Sequence, residues 1–337
     1  MIAKSSVLKL AGLAAAMSLS ISAFATDITG AGATFPYAVY TKWAEAYHGA
    51  TGNTVNYQGI GSSGGQKQIK AKTVDFAGSD APVPVSELHQ YHLVQFPGVI
   101  GGATIVFNLP GIESGGIKLD GTTAANIFRG AITKWNDPAI ARQNPGVKLP
   151  DLPITIVHRS DGSGTTYVVT HYLAKQSMAF KRDVGAEKVV NWPANGVGGK
   201  GNPGVAANVL KISGAIGYVD YADAVQNHLK FAQLKNKDGY YVMPTQDAMA
   251  AAAANSNFKV EGMAPDMLDQ PGKDTWPIVT ATYILGYEHG DASKQQGVKD
   301  FFSWSFKNGK KMAEDLGFVA LPPSVVNLVE AQMANLK

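Results

Sequence analysis

Arg159, Asp161, Ser163 and Thr165 fall within seven positions of "RSDGSGTTYVV" (159–169), interleaved with Gly162 and Gly164. A guanidinium, a carboxylate, hydroxyls and glycine-freed backbone suit two chemistries: a serine nucleophile, or a cradle of N–H and O–H donors for an oxyanion. "DGSGT" lacks the first glycine of a nucleophile elbow, and His158 falls on the opposite strand face from Arg159. Ser163 therefore reads as a donor. Asp161 is placed either to hold the guanidinium or to cap the following helix.

Two further loops share this chemistry, "GAGATF" (30–35) and "GSSGG" (61–65). Each sits where a strand should give way to a helix, and a helix N-terminus offers unpaired N–H groups and a partial positive charge. Thr34, Ser62, Ser163 and Thr165 add hydroxyls. One such loop alone reads as a capped turn; three at the carboxyl ends of strands read as convergence on one anion, where open α/β sheets bind ligands. Asp80, which ends "DFAGSD", is the odd residue, because a carboxylate faces an ionised oxyanion acceptor to acceptor. It is either a cap or turn residue, or an acceptor for a proton carried by the ligand. In that second role it would favour protonated phosphate over sulfate, since mispaired buried polar groups discriminate strongly.

The elements that position these residues alternate β and α. Strand-like "DIT", "TVNYQGI" (54–60), "TVDFAGSD" (73–80), "GVIGGATIVFN" (98–108), "ITIVH" (154–158) and "WPIVTATYILGY" (276–287) are separated by helical stretches, including one expected to begin near Gln66. This predicts an α/β fold with mainly parallel sheets and two domains, since about 310 residues exceed one comfortable core. Two helices are expected after 287, carrying Phe302 with Phe306, and Val326, Val329, Met333 and Leu336. The alanine-rich "QDAMAAAAANSN" (246–257) reads as a surface helix.

At the start, Lys4 and Lys9 precede an apolar run that ends in Ala23-Phe24-Ala25, the pattern of a secretory signal peptide cleaved after Ala25. Without those two lysines, 27 cations face 26 acids, a formal charge of +1. That balance argues against nucleic acid. With no cysteine there is no disulfide, thiolate metal site or lipidated anchor. Together these point to an exported, soluble, periplasmic protein.

Two other motifs are weak. "GVGGKG" (196–201) fits G-x-G-x-x-G, but "NWPAN" is a poor preceding strand, and a loop opening a helix is the better reading. His89 and His92 make H-x-x-H on an exposed helix with only Glu87 nearby, so no metal is expected.

"TGAGATFP", "VNYQGIGSSGG", "VDFAGSDAP" and "RSDGSGTT" together resemble the periplasmic phosphate-binding proteins of bacterial ABC transporters. The similarity continues through "KWAEAYHGATGN", "FPGVIGGA", "GKGNPGVAA", "GAIGYVDYA" and "LPPSVV". The resemblance implies a type II periplasmic binding protein fold, two α/β lobes joined by crossover strands around a ligand cleft. It divides the chain into a signal peptide (1–25), lobe 1 (26–105 plus 281–337) and lobe 2 (106–280). By motif it assigns phosphate contacts to Ala33, Thr34, Phe35, Ser62, Asp80, Arg159, Ser163, Gly164 and Thr165, with Asp161 orienting the arginine. It further implies delivery of phosphate to membrane permease subunits, no cofactor, no covalent chemistry and a monomer. A phosphatase would need a nucleophile–base pair or metal ligands, and Asp80 speaks against a sulfate binder.

Overall fold

The computed structural model describes residues 26–337; the expected signal peptide, residues 1–25, lies outside them. Among these residues no helix is long and apolar enough to cross a membrane.

The chain opens with β1 (Ile28–Gly32), α1 (Tyr37–Thr51), β2 (Val55–Gly59), α2 (Ser62–Lys70), β3 (Phe76–Ser79) and α3 (Val85–Tyr91). β4 (Leu93–Phe107) follows, buried along its whole length. Next come β5 (Lys118–Leu119), α4 (Gly121–Phe128), α5 (Pro138–Ala141), β6 (Thr155–Arg159), α6 (Gly164–Gln176) and α7 (Met178–Asp183). β7 (Val197–Gly199), α8 (Gly201–Lys211), β8 (Ala215–Asp220), α9 (Tyr221–Gln226), β9 (Lys230–Phe231), β10 (Gln233–Lys235), β11 (Tyr241–Val242) and α10 (Gln246–Ala253) continue the chain. It closes with β12 (Val279–Tyr287), α11 (Ala292–Asn308), α12 (Lys310–Asp315) and α13 (Pro323–Met333).

Nine strands form one curled sheet, ordered β2-β1-β3-β12-β4-β8-β6-β7 with β9 beside β4. Its flanks are parallel, β1 with β2 and β3, β6 with β7 and β8. Its middle is antiparallel, where β12 and β4 carry the chain across and back. The expectation of a mainly parallel sheet thus holds only at the flanks, because a crossing that returns must reverse direction. β4 changes partners along its length: Leu93–Gly102 pairs with β12, and Ala103–Phe107 with β8. The fold is therefore two α/β lobes sharing crossover strands, with a small β11-β10-β5 sheet in the second.

Apolar faces fix the first lobe. α1 buries Val39, Tyr40, Trp43 and Tyr47 against Phe76, Phe301 and Phe302, with Tyr40 and Trp43 stacked 5.7 Å apart. Each such side chain contributes roughly 1.5–3 kcal/mol on burial. Three elements depart from expectation. α2 starts at Ser62 rather than near Gln66, because Gly61 takes φ 85° and ends the extended segment, so "SSGG" itself forms the first turn. Three helices, not two, follow β12, Gly309 separating α11 from α12. And α10 is not a plain surface helix: Ala248, Met249, Ala252 and Ala253 are buried, the small side chains letting it lie close to β4.

Candidate functional site

The carboxyl ends of β1, β2 and β3 face those of β6, β7 and β8, and four hydrogen bonds cross between them. Ser63 N donates to Gly162 O at 3.1 Å, Gly164 N to Ser62 Oγ at 3.1 Å, Asn202 N to Thr34 Oγ1 at 3.3 Å, and Lys188 Nζ to Gln66 Oε1 at 2.8 Å. The two lobes are closed on one another.

Each loop is held by its own backbone. Ala33 N donates to Gly78 O at 2.8 Å, and Tyr57 Oη donates to Ala33 O at 2.9 Å, which fixes the turn after β1. Ile60 N and Gly61 N both donate to Gly32 O, setting Ser62 at the start of α2. Ser163 caps α6, accepting from Thr166 N at 3.0 Å, as a serine at that position should. After these bonds, the amides of Thr34, Phe35, Ser62 and Thr165 have no partner among the described residues. The same is true of a buried hydroxyl, Thr165 Oγ1. An orphaned buried polar atom costs about 1–3 kcal/mol, so a protein that keeps one has a use for it.

Arg159, at the end of β6, is buried. Its Nε and Nη2 donate to the two oxygens of Asp161 at 2.8 and 2.6 Å, and Nη1 donates to Asn202 Oδ1 at 3.0 Å. Three of five N–H donors are thereby used, and two remain for an oxyanion. Burial pushes the Asp161 carboxyl up, but the hydrogen bond and charge of Arg159, with the Gly201 amide at 3.0 Å, together hold it below its ordinary value. Asn202 passes the arrangement on, donating from Nδ2 to the buried Asp220, which caps α9.

Asp80 is 1 % exposed. Its Oδ1 accepts from Thr282 Oγ1 of β12 at 2.6 Å, and its amide donates to Ser62 Oγ at 3.2 Å. Burial pushes its carboxyl up to about 7, despite the opposing Thr282 hydrogen bond, the Arg159 charge and the Ser62 hydroxyl. That shift costs the folded state stability once the unfolded chain has ionised. The cost is absent below about pH 4, grows as pH rises toward 7, and is complete above it. Asp80→Asn is expected to raise the unfolding midpoint of the ligand-free chain at pH 8 and leave it unchanged near pH 4. About three pH units at ~1.4 kcal/mol each bound the gain at about 4 kcal/mol. Equal midpoint shifts at both pH values in thermal melts contradict it.

All the residues singled out in the three loops come together here, with Asp80 and Arg159 on opposite sides of the cleft. Three amides have work already: Ala33 N with Gly78 O, Ser163 N with Lys188 O and Gly164 N with Ser62 Oγ. Of these three residues Ser163 alone has a hydroxyl, which accepts from Thr166 N and donates to nothing among the described residues. Sequence reasoning missed Asn202, Thr282 and the Lys188–Gln66 bridge. Asn202 stood in "GKGNPGVAA", next to the glycine motif; that stretch is a strand-to-helix junction, β7 into α8, like the other three.

The chain belongs to the PBP superfamily, whose domain model matches residues 20–308. A Pasteurella multocida protein named phosphate-binding protein PstS is 51% identical over 310 residues, covering 91% of this chain and 90% of that one. A Haemophilus influenzae protein of the same name is 47% identical over 310 residues, covering 91% and 92%. Within the superfamily, this chain is a member of the PstS family of phosphate-binding proteins. In fold it is similar to the solved phosphate-binding protein of Stenotrophomonas maltophilia, with TM-score 0.68 at 24% identity over 91% of this chain and 94% of that one.

Proposed function

We propose that this chain binds inorganic phosphate in the cleft and delivers it for import by a membrane ABC transporter, with no covalent chemistry. The observation that carries this reading is the set of unused donors on the loops where the two lobes meet: four amides, the Thr165 hydroxyl and the free fork of Arg159. The ligand contacts are Thr34, Phe35, Ser62, Arg159, Ser163 and Thr165, with Gly164 allowing close approach, Ala33 shaping the loop and Asp80 taking a ligand proton. Asp161 orients the arginine. A phosphate dianion held mainly by neutral donors and an already paired arginine can be released again without a metal.

The lobes are residues 26–105 with 281–337, and 106–280; the change of partners along β4 at Gly102 and Ala103 supports that division. Ligand bridges them and favours the closed form, which the permease subunits recognise. The chain acts in the periplasm as a monomer, exported by its first 25 residues.

Thr165→Val tests the carrying observation. It keeps the volume and removes a hydroxyl that bonds to nothing among the described residues. The ligand-free protein is expected to lose no stability, while phosphate affinity falls about tenfold, one hydrogen bond to a charged group. Unchanged affinity by calorimetry contradicts the reading. The carboxyl of Asp80 makes sulfate rejection depend on pH. Below about 7 it carries a proton and can donate to sulfate; above 7 it is ionised and repels it. Rejection therefore strengthens as pH rises, and Asp80→Asn, which keeps a donor at every pH, flattens that dependence.

A further inference from the structure

His89 and His92 are joined in the sequence as H-x-x-H, but the structure parts them. His89 Nε2 lies 3.3 Å from Glu261, whereas His92 Nδ1 lies 3.4 Å from Glu288 Oε2 and its ring is 5.9 Å from that of His289. We propose that His92, Glu288 and His289 form a surface site for a borderline divalent transition metal, zinc(II) foremost.

The backbone places these ligands. Leu93 opens β4 and pairs with Tyr287, the last residue of β12, so His92 and Glu288 are the next residues beyond a paired rung. Glu288 N donates to His92 O at 2.9 Å, locking the two chains beside each other. His92 closes α3 in the left-handed region, φ 52° and ψ 52°, where few non-glycine residues sit. One ligand atom from each of the three side chains lies within 4.8 Å of the others.

Two imidazoles and a carboxylate suit zinc, copper, nickel or cobalt rather than magnesium or calcium, which prefer oxygen alone. With zinc bonds of about 2.0–2.2 Å, tetrahedral ligand atoms stand about 3.3–3.6 Å apart. The His92–Glu288 separation already meets that spacing. His289 is exposed, so its ring is free to rotate the remaining distance. Water completes the shell. Bound there, the metal ties the α3–β4 turn to the β12–α11 turn, at the edge of the first lobe opposite the cradle.

The test uses the chain purified without a polyhistidine tag, in phosphate-free buffer, titrated with cobalt(II) and then zinc(II). Cobalt should give the visible absorption of a low-coordinate nitrogen–oxygen site, zinc should displace it, and zinc should raise the unfolding midpoint. Loss of even an outer-sphere partner weakens metal sites about 10–100-fold, so His92→Gln and His289→Gln should each cost at least about tenfold. His89→Gln should leave metal affinity unchanged, and none of the three should alter phosphate binding. Absence of cobalt and zinc binding overturns the proposal. So does binding that survives both His92→Gln and His289→Gln, or binding lost in His89→Gln.

Discussion

Arg159→Ala is expected to weaken phosphate binding by about 10²–10⁴-fold. The two N–H groups left after Asp161 and Asn202 are served are cationic donors, and hydrogen bonds to charged groups carry about 1.5–3 kcal/mol each. The substitution also strands Asp161, a half-buried carboxylate left with backbone amides, that of Gly201 and its own, in place of the guanidinium. Some of the loss will therefore appear as lower stability, and melts alongside calorimetry separate the two. Arg159→Lys should recover part of the charge but not the fork, because an ammonium cannot grip Asp161 and an oxyanion at once. Ser163→Ala should cost far less in affinity, about tenfold, the worth of one donor, while the lost cap appears as lower stability. Equal losses for Arg159→Ala and Ser163→Ala contradict the account of the arginine.

Gly164→Ala is the second large effect, and it acts by shape. A Cβ at 164 would stand 2.4 Å from Ser62 Oγ and 2.7 Å from both Cβ and Oδ2 of Asp80, all in the opposite lobe. These atoms have nowhere to retreat, since Asp80 is tied to Thr282 and Ser62 opens a helix. Overpacking of this kind costs about 1–3 kcal/mol, so phosphate affinity should fall about 5–200-fold. The open form should not suffer, because alanine is the better helix residue at the start of α6. Small-angle scattering should therefore find the variant failing to contract when phosphate is added, with its melting temperature kept. A variant that contracts and binds like the parent would show that closure does not bring Gly164 against Asp80.

How much of this was legible in the sequence follows from the range of each interaction. The three loops were readable because their chemistry is local: glycine, hydroxyl and helix start lie within five residues of one another. Asp80 was readable as an anomaly, a carboxylate among anion donors. Its perturbed carboxyl was not, because burial at the meeting of two lobes is a property of the closed molecule. Thr282, 202 residues away, and Asn202, 43 residues beyond Arg159, are joined to the site only by the crossover of β4 and β12 and by β7 running beside β6. Helix boundaries failed where glycine decided them, at Gly61 and Gly309. The H-x-x-H pattern, from which no metal was expected, did not show where its histidines go: His89 and His92 part company, and Glu288 and His289 lie just past the end of β12.

The central claim is that the three loops and Arg159 form one cradle selective for phosphate. Its most direct test is isothermal titration of the phosphate-stripped chain with phosphate and with sulfate at pH 8, above the point where Asp80 ionises. The expected result is one-to-one phosphate binding and no heat from sulfate. Binding of sulfate in place of phosphate, or of neither, contradicts it.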